Sequence, residues 1–259
     1  AFFIVTGTAF LNHDLGWLEK VRRQHNYQNV SIKDLTQELA CFGIWGPNAR
    51  KILSKCTDTD LSNEAFGFMR SQVITVAGIE LRATRITYVG ELGWELYIPR
   101  EKSLQVWLSL IEMGKEFELR PCGYRAIESL RLEKGYRAWA GEINSETNPY
   151  EAGLGFAVST KKENFIGRQA LLTAESNNKR KLTALTFSDI KDVPLGNEPI
   201  FFNGEVIGRI KSAGQGYTLK TAIAYAYLPL EHSQPGRELS VEMFGQAKTA
   251  TVRTEPLFD

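Results

Sequence analysis

The last eighty or so residues constrain the fold most tightly. Six short apolar runs follow one another there: Leu182 to Phe187, Pro199 to Phe202, Val206 to Ser212, Ala222 to Tyr227, Leu239 to Met243 and Ala247 to Thr254. Asn203-Gly204, Gly214-Gln215-Gly216 and Pro235-Gly236 punctuate them. Asn-Gly between two apolar runs is a strong hairpin signal, because the tightest hairpin turn needs positive φ at both central residues. Six strands in so short a stretch point to a small closed or nearly closed β-barrel. Gly214-x-Gly216 also matches part of a dinucleotide-binding pattern. It leads from one strand into another rather than into a helix, so it fails the context that pattern needs, and no flavin site is encoded here.

Upstream of the barrel, helical and strand periodicities mix, which makes the chain α+β. Asp14 to His25 places Leu15, Leu18 and Val21 on one helical face. Gln37 to Trp45 alternates as a strand, and Gly46-Pro47 starts a helix through Asn48 to Lys55, with proline at an early helical position. Val73 to Val76 and Ile79 to Thr87 form a hairpin about Ala77-Gly78, and Trp94 to Pro99 is another strand. Ser103 is placed to cap a helix whose apolar stripe is Leu104, Trp107, Leu108 and Ile111. Tyr124 to Lys134 is a further helix, followed by a long loop from Gly135 to Gly155 of the kind that often carries function. The polar bridge Thr173 to Arg180 marks a domain boundary, giving domains 1–175 and 179–259.

The opening run, Ala1-Phe2-Phe3-Ile4-Val5-Thr6, reads as a buried strand. Such strands seldom begin at a free terminus, so the first domain is expected to be truncated at its N-terminal side.

Charge and cysteine usage narrow the partners. Lys+Arg 31 against Asp+Glu 30 leaves a net charge of +1, which argues against a nucleic-acid or membrane-surface protein. Cys41, Cys56 and Cys122 are far apart and odd in number, so they read as reduced thiols of the cytoplasm or a mitochondrial matrix. Three scattered histidines make a His-based metal site improbable.

The segment richest in chemistry is Tyr88-Val89-Gly90-Glu91-Leu92-Gly93-Trp94-Glu95-Leu96-Tyr97. Two glycines let the backbone turn sharply or approach a ligand closely. A carboxylate held among aromatics suits a flat heterocycle with two adjacent N–H donors, which it can accept together in charge-assisted bonds. An ordinary hairpin with surface glutamates and core aromatics fits the same spacing.

Several ordered blocks together resemble the aminomethyltransferase family. This family includes the T-protein of the glycine cleavage system and the folate-binding halves of dimethylglycine and sarcosine dehydrogenases. The resemblance is carried by Gly46-Pro47-Asn48-Ala49-Arg50-Lys51-Ile52-Leu53, by Tyr88 to Tyr97, by Ser129-Leu130-Arg131-Leu132-Glu133-Lys134-Gly135-Tyr136, by Asn148-Pro149-Tyr150-Glu151-Ala152-Gly153-Leu154, and by Phe165 to Leu172. It continues in the barrel through Gly208-Arg209-Ile210-Lys211-Ser212 and Ala222 to Pro229. It implies a folate-binding aminomethyltransferase-like domain followed by the barrel, with tetrahydrofolate as cofactor and a small methylated amine as substrate.

By that resemblance Tyr88 and Glu95 contact the pterin ring, and Phe156, where the T-protein carries Trp, lines the folate cavity. Phe3 and Val5 match ligand-wall positions. Gly7 stands where the T-protein has a ligand-contacting Asn. Ile127 replaces a family Arg, and Arg125 lies two residues earlier as a candidate substitute cation. Gly123-Tyr124-Arg125-Ala126 looks like the dehydrogenase branch, which implies an FAD-bearing domain of the same protein ahead of residue 1. The family's catalytic Asp would also fall upstream of residue 1, so no residue here matches it. Two alternatives share the motif: a non-catalytic regulatory or scaffolding relative, and a folate-dependent demethylase of sulfur or oxygen methyl compounds. Retention of both Tyr88 and Glu95 favours a working pterin pocket over the regulator.

Overall fold

In the computed structural model, which describes residues 1–259, the chain divides into two units. One comprises Ala1–Ile86 with Leu92–Leu119, the other Thr87–Glu91 with Arg120–Asp259.

The first unit is built on a four-stranded antiparallel sheet in the order β1-β4-β3-β2, with β1 Leu39–Trp45, β2 Ser71–Val76, β3 Ile79–Thr84 and β4 Gly93–Pro99. Alternation sorts the side chains of β4: Trp94, Leu96 and Ile98 are fully buried, while Glu95 between them is half-buried on the opposite face. The core face also receives Ile44 of β1, Leu81 and Ala83 of β3, and Ile74 and Val76 of β2. Helices α2 (Ala49–Ser54) and α3 (Ser103–Gly114) cover it through Ile52, Leu53, Val106 and Leu110. The β2–β3 connection is the expected tight hairpin, with Ala77 and Gly78 both at positive φ (52° and 79°), as that turn requires.

Three expectations fail in this unit. Residues 1–6 form no strand and are exposed; an extended run without a ladder partner has nothing to satisfy its backbone groups. Ser103 is no cap: it sits inside the first turn of α3, and its hydroxyl donates to the carbonyl of Arg100 (2.7 Å). The apolar face of α3 that packs is Val106, Leu110 and Gly114, whereas Leu104 and Leu108 are 66% and 58% exposed. Both stripes have helical spacing, and the sheet selects the one with the smaller side chains. Helix α1 (Leu11–Gln24) forms as read, with Leu15, Leu18 and Val21 half-buried.

The second unit contains the expected barrel, which closes in the order β10-β5-β8-β7-β6-β9. Its strands are β5 Arg180–Phe187, β6 Pro199–Phe202, β7 Glu205–Gly216, β8 Thr221–Pro229, β9 Glu238–Met243 and β10 Gln246–Arg253. Asn203 and Gly204 form the β6–β7 turn at φ 51° and 85°. Gly214 and Gly216, expected in a turn, continue β7 instead. A Cβ on Gly214 would lie 2.7 Å from Leu132, and one on Gly216 would lie 2.6 Å from Ile223, so these glycines serve close packing.

Helix α4 (Tyr124–Lys134) lies against this barrel and is held there by polar contacts as much as apolar ones. Leu132 is fully buried, Ser129 donates to the carbonyl of Gln215 (2.6 Å), and the hydroxyl of Tyr225 donates to that of Leu132 (2.9 Å). Helix α5 (Arg168–Ser176) runs into the polar bridge that sequence alone reads as linker. No helix is long and apolar enough to cross a membrane.

Candidate functional site

In the first unit the sheet face away from the core carries Glu95. On one side β1 sets Gly43 opposite Glu95 and Cys41 opposite Tyr97. On the other side β3 sets Thr84 opposite Glu95 and Arg82 opposite Tyr97. Glu95 therefore stands near the middle of the sheet, with neighbours fixed by strand register rather than by a flexible loop. The Tyr97 hydroxyl donates to Glu95 Oε2. Its phenol is held well above its ordinary range, first by burial and then by that bond and the carboxylate's charge, so Tyr97 remains the donor. Glu95 Oε1 stays available to a ligand.

Phe3 joins this group in spite of lacking strand structure. Its ring meets that of Tyr97 edge-on, with centroids 5.1 Å apart at 77°, and the Arg82 guanidinium lies 5.6 Å over it. Val5 is 57% exposed. Cys41 reports the field of the site: although the residue is exposed, the packing around its thiol, and then the negative charge of Glu95, push it up to about 11. Sequence reasoning missed Cys41 as a neighbour of Glu95, because the pairing of β1 with β4 spans some fifty residues and leaves no local signal.

The two glycines of the segment have structural duties. Gly90 makes a turn at φ 79°. Gly93 allows close approach, but of the chain itself: a Cβ there would lie 2.8 Å from Trp45 Cα and would collide with the Ile44 carbonyl.

In the second unit Tyr88 is half-buried, stacks on Tyr136 (6.1 Å, 19°) and donates its hydroxyl to the Arg137 carbonyl (2.9 Å). Burial raises its phenol pKa. With that proton committed, Tyr88 can offer a ligand its ring and an acceptor oxygen. Phe156 is 88% exposed in a short 3-10 turn, Gly155–Ala157, and Arg125 is exposed in the first turn of α4.

The other polar residues of this unit are structural. Arg131 pairs with Glu142 (2.6 Å) and Glu128, and Glu142 is buried. Glu151 accepts from Arg180 (3.0 Å) and the Asn148 amide (3.2 Å). His232 is half-buried and packs on Phe202 at 4.7 Å. A cleft of about 270 Å³ touches Glu91, Glu133, Lys134 and Phe258. Two of its charges are already engaged, Glu133 with Thr218 and Leu219, and Lys134 with Asp259.

A four-stranded α+β unit and a closed six-stranded barrel, in this sequence order, define the T-protein fold. The structure of the glycine cleavage system aminomethyltransferase T from Bartonella henselae superimposes with a TM-score of 0.74 at 25% identity, over 85% of this chain and 59% of that one. Residues 1–162 match the GCVT N-terminal domain, and residues 180–259 match the glycine cleavage T-protein C-terminal barrel domain. The chain belongs to the glycine cleavage T-protein, or aminomethyltransferase, family. It is 34% identical to an aminomethyltransferase from Geobacillus sp. over 99% of its own length and 70% of that protein's. It is 40% identical to human mitochondrial dimethylglycine dehydrogenase over 99% of its length, but spans only 30% of that protein. Mouse mitochondrial sarcosine dehydrogenase is 35% identical, with 29% of its length spanned.

Proposed function

We propose that the chain is the tetrahydrofolate-binding, one-carbon-accepting portion of an enzyme resembling dimethylglycine or sarcosine dehydrogenase. In this reading residues 1–175 form the folate-binding domain and 179–259 the barrel. The observation that carries it is the Glu95 arrangement: an acceptor-only carboxylate fixed in a central strand, one oxygen held by Tyr97 and the other free, with aromatic rings beside it. A pterin edge presents an amide N–H and an amino N–H side by side, and a carboxylate accepts two such donors at once. The acceptor that this sheet face presents therefore fits the group.

Bound folate supplies a nucleophilic ring amine that takes up a one-carbon unit. The chain's own part is to bind and orient. Glu95 fixes the pterin edge, and Tyr97 keeps its proton and sets the rotamer of Glu95. The family resemblance also assigns Phe3 and Val5 of the first unit to the ligand and, by itself, Tyr88 and Phe156 of the second. Arg125, exposed on α4, is the cation proposed to compensate for the Arg replaced by Ile127. The amine substrate and an FAD-bearing domain of the same protein belong to this proposal through the 30% span of dimethylglycine dehydrogenase. So does a mitochondrial matrix location, or a cytoplasmic one in a bacterium.

Calorimetric titration with 5-formyltetrahydrofolate tests the reading. Saturable binding is expected in the intact protein and should be lost in Glu95→Ala, whose fold is preserved because the side chain lies off the core face. Equal affinity in the two proteins would overturn it.

A further inference from the structure

We infer that Trp45 is a binding residue of the Glu95 site, a flat wall that sets its preference for an aromatic heterocycle. The inference rests on the folate reading above and deepens it. Trp45 ends β1 on the same sheet face as Glu95. Register places Gly43 opposite Glu95 and Trp45 opposite Gly93, so this block of four positions has glycine at two diagonal corners. The indole uses both vacancies. Its six-membered ring lies back along β1 where a Gly43 Cβ would be, and its five-membered ring lies where a Gly93 Cβ would be. Cross-strand partners are direct neighbours on a sheet face, so the ring that fills the Gly43 position lies beside Glu95 across the two strands.

Core packing does not account for this ring. The core-facing residues of β1 are Phe42 and Ile44, and Trp45, of opposite parity, is half-buried. Its Nε1 donates to the Ile86 carbonyl at 3.0 Å, which satisfies the one polar atom of the indole and fixes the ring plane. Two glycines inside paired strands sacrifice strand propensity and packing. What they accommodate is a rigid aromatic plate beside a carboxylate whose second oxygen is free. Tyr97 borders Glu95 two residues along β4, so the acid is flanked along both strands by rings. A ligand that donates two N–H groups to Glu95 must extend its own plane past this plate. A flat bicyclic ring gains stacking there over its whole plane, and a non-planar donor such as an alkylammonium group does not.

The test is titration of the intact protein and four variants, Trp45→Leu, Trp45→Phe, Gly43→Ala and Glu95→Gln, with 5-formyltetrahydrofolate, following affinity and quenching of indole fluorescence. Trp45→Leu is expected to weaken binding about tenfold, and Trp45→Phe to recover most of the loss. Gly43→Ala keeps the indole but evicts it from its seat, and should weaken binding like Trp45→Leu. Quenching by bound ligand should fall in Trp45→Phe by the share that Trp45 contributes. If the wild type binds, Glu95→Gln loses binding, and folded Trp45→Leu or Gly43→Ala keeps wild-type affinity, the wall is overturned and the folate reading stands. If quenching is undiminished in Trp45→Phe, the indole does not face the ligand, and the inference is again overturned. Absence of binding by the folded wild type would end both.

Discussion

Arg131 and Glu142 form an ion pair closed to water on both sides, with Nη1 2.6 Å from Oε1 and side chains only 2% and 1% exposed. Burial disfavours the guanidinium cation, but the bonds and charges of Glu128 and Glu142 outweigh that and hold it charged. Glu142 also accepts from Ser212 and from the Ala138 amide (2.8 Å), so its charge is committed to helix, loop and barrel of the second unit together. Arg131→Met removes one ion and leaves the other buried, and should cost about 3–5 kcal/mol of stability. The urea midpoint measures it, and a loss under about 1 kcal/mol would contradict the pair's place in the structure. The double variant with Glu142→Leu should regain part of the loss, because the second uncompensated charge is gone.

Glu133 is a second buried acid with a different task. Its Oε1 accepts the amides of Thr218 (2.8 Å) and Leu219 (3.0 Å), and its Oε2 accepts the Thr218 hydroxyl (2.8 Å). Glu133→Ala strands two backbone donors, at about 1–3 kcal/mol each. Glu133→Gln keeps a carbonyl for the amides and should cost distinctly less. Hydrogen exchange at Thr218 and Leu219 should accelerate strongly in the alanine variant and modestly in the glutamine one.

The Cys41 thiol provides a probe of Glu95 without any ligand. Its folded-state pKa of about 11 lies above the ordinary 9.0. The neutral thiol is therefore the form favoured by folding, and its contribution to stability is lost as pH rises from 9 through 11. Alkylation of Cys41 should be slow at pH 8 and rise with an apparent pKa near 11. Glu95→Gln removes the nearby negative charge and should shift that rise to lower pH. Unaltered alkylation kinetics in this variant would show that the carboxylate does not face the thiol.

The same substitution should act with opposite signs at two glycines that each have open space around them. Gly204 sits at φ 85°, so Gly204→Ala is strained and should destabilise by about 1–2 kcal/mol. Gly16 lies inside α1 with no atom within 4 Å of an added Cβ, and Gly16→Ala should stabilise by about 0.5–1 kcal/mol. Thermal unfolding of the two variants reads both signs.

Where a local rule decides structure, the sequence is a good guide. Ala77-Gly78 and Asn203-Gly204 are turns because positive φ at adjacent positions has few other uses, and α4 runs between the residues its pattern marks, Tyr124 and Lys134. Legibility ends where a tertiary neighbour casts the deciding vote. Gly214 and Gly216 look like a turn until Leu132 and Ile223 show why they lack side chains. The face of α3 that packs is set by the sheet beneath it, and the size of Leu104 or Trp107 misleads. At the candidate site, the acid and its aromatics are visible along the chain. Cys41, Gly43 and Trp45 become visible only once β1 lies beside β4.

A sheet joined into a ring has no outermost member. Each strand of the barrel has a neighbour on either side, so the loss of any one exposes two others, and unravelling from an end is denied to it. The barrel should open in a single cooperative step, and it offers no unpaired backbone on which a strand from another molecule could grow. The four-stranded sheet, with β1 and β2 at its margins, lacks that protection. Under partial denaturation, self-association should begin in the first unit, along the margin that also carries Trp45.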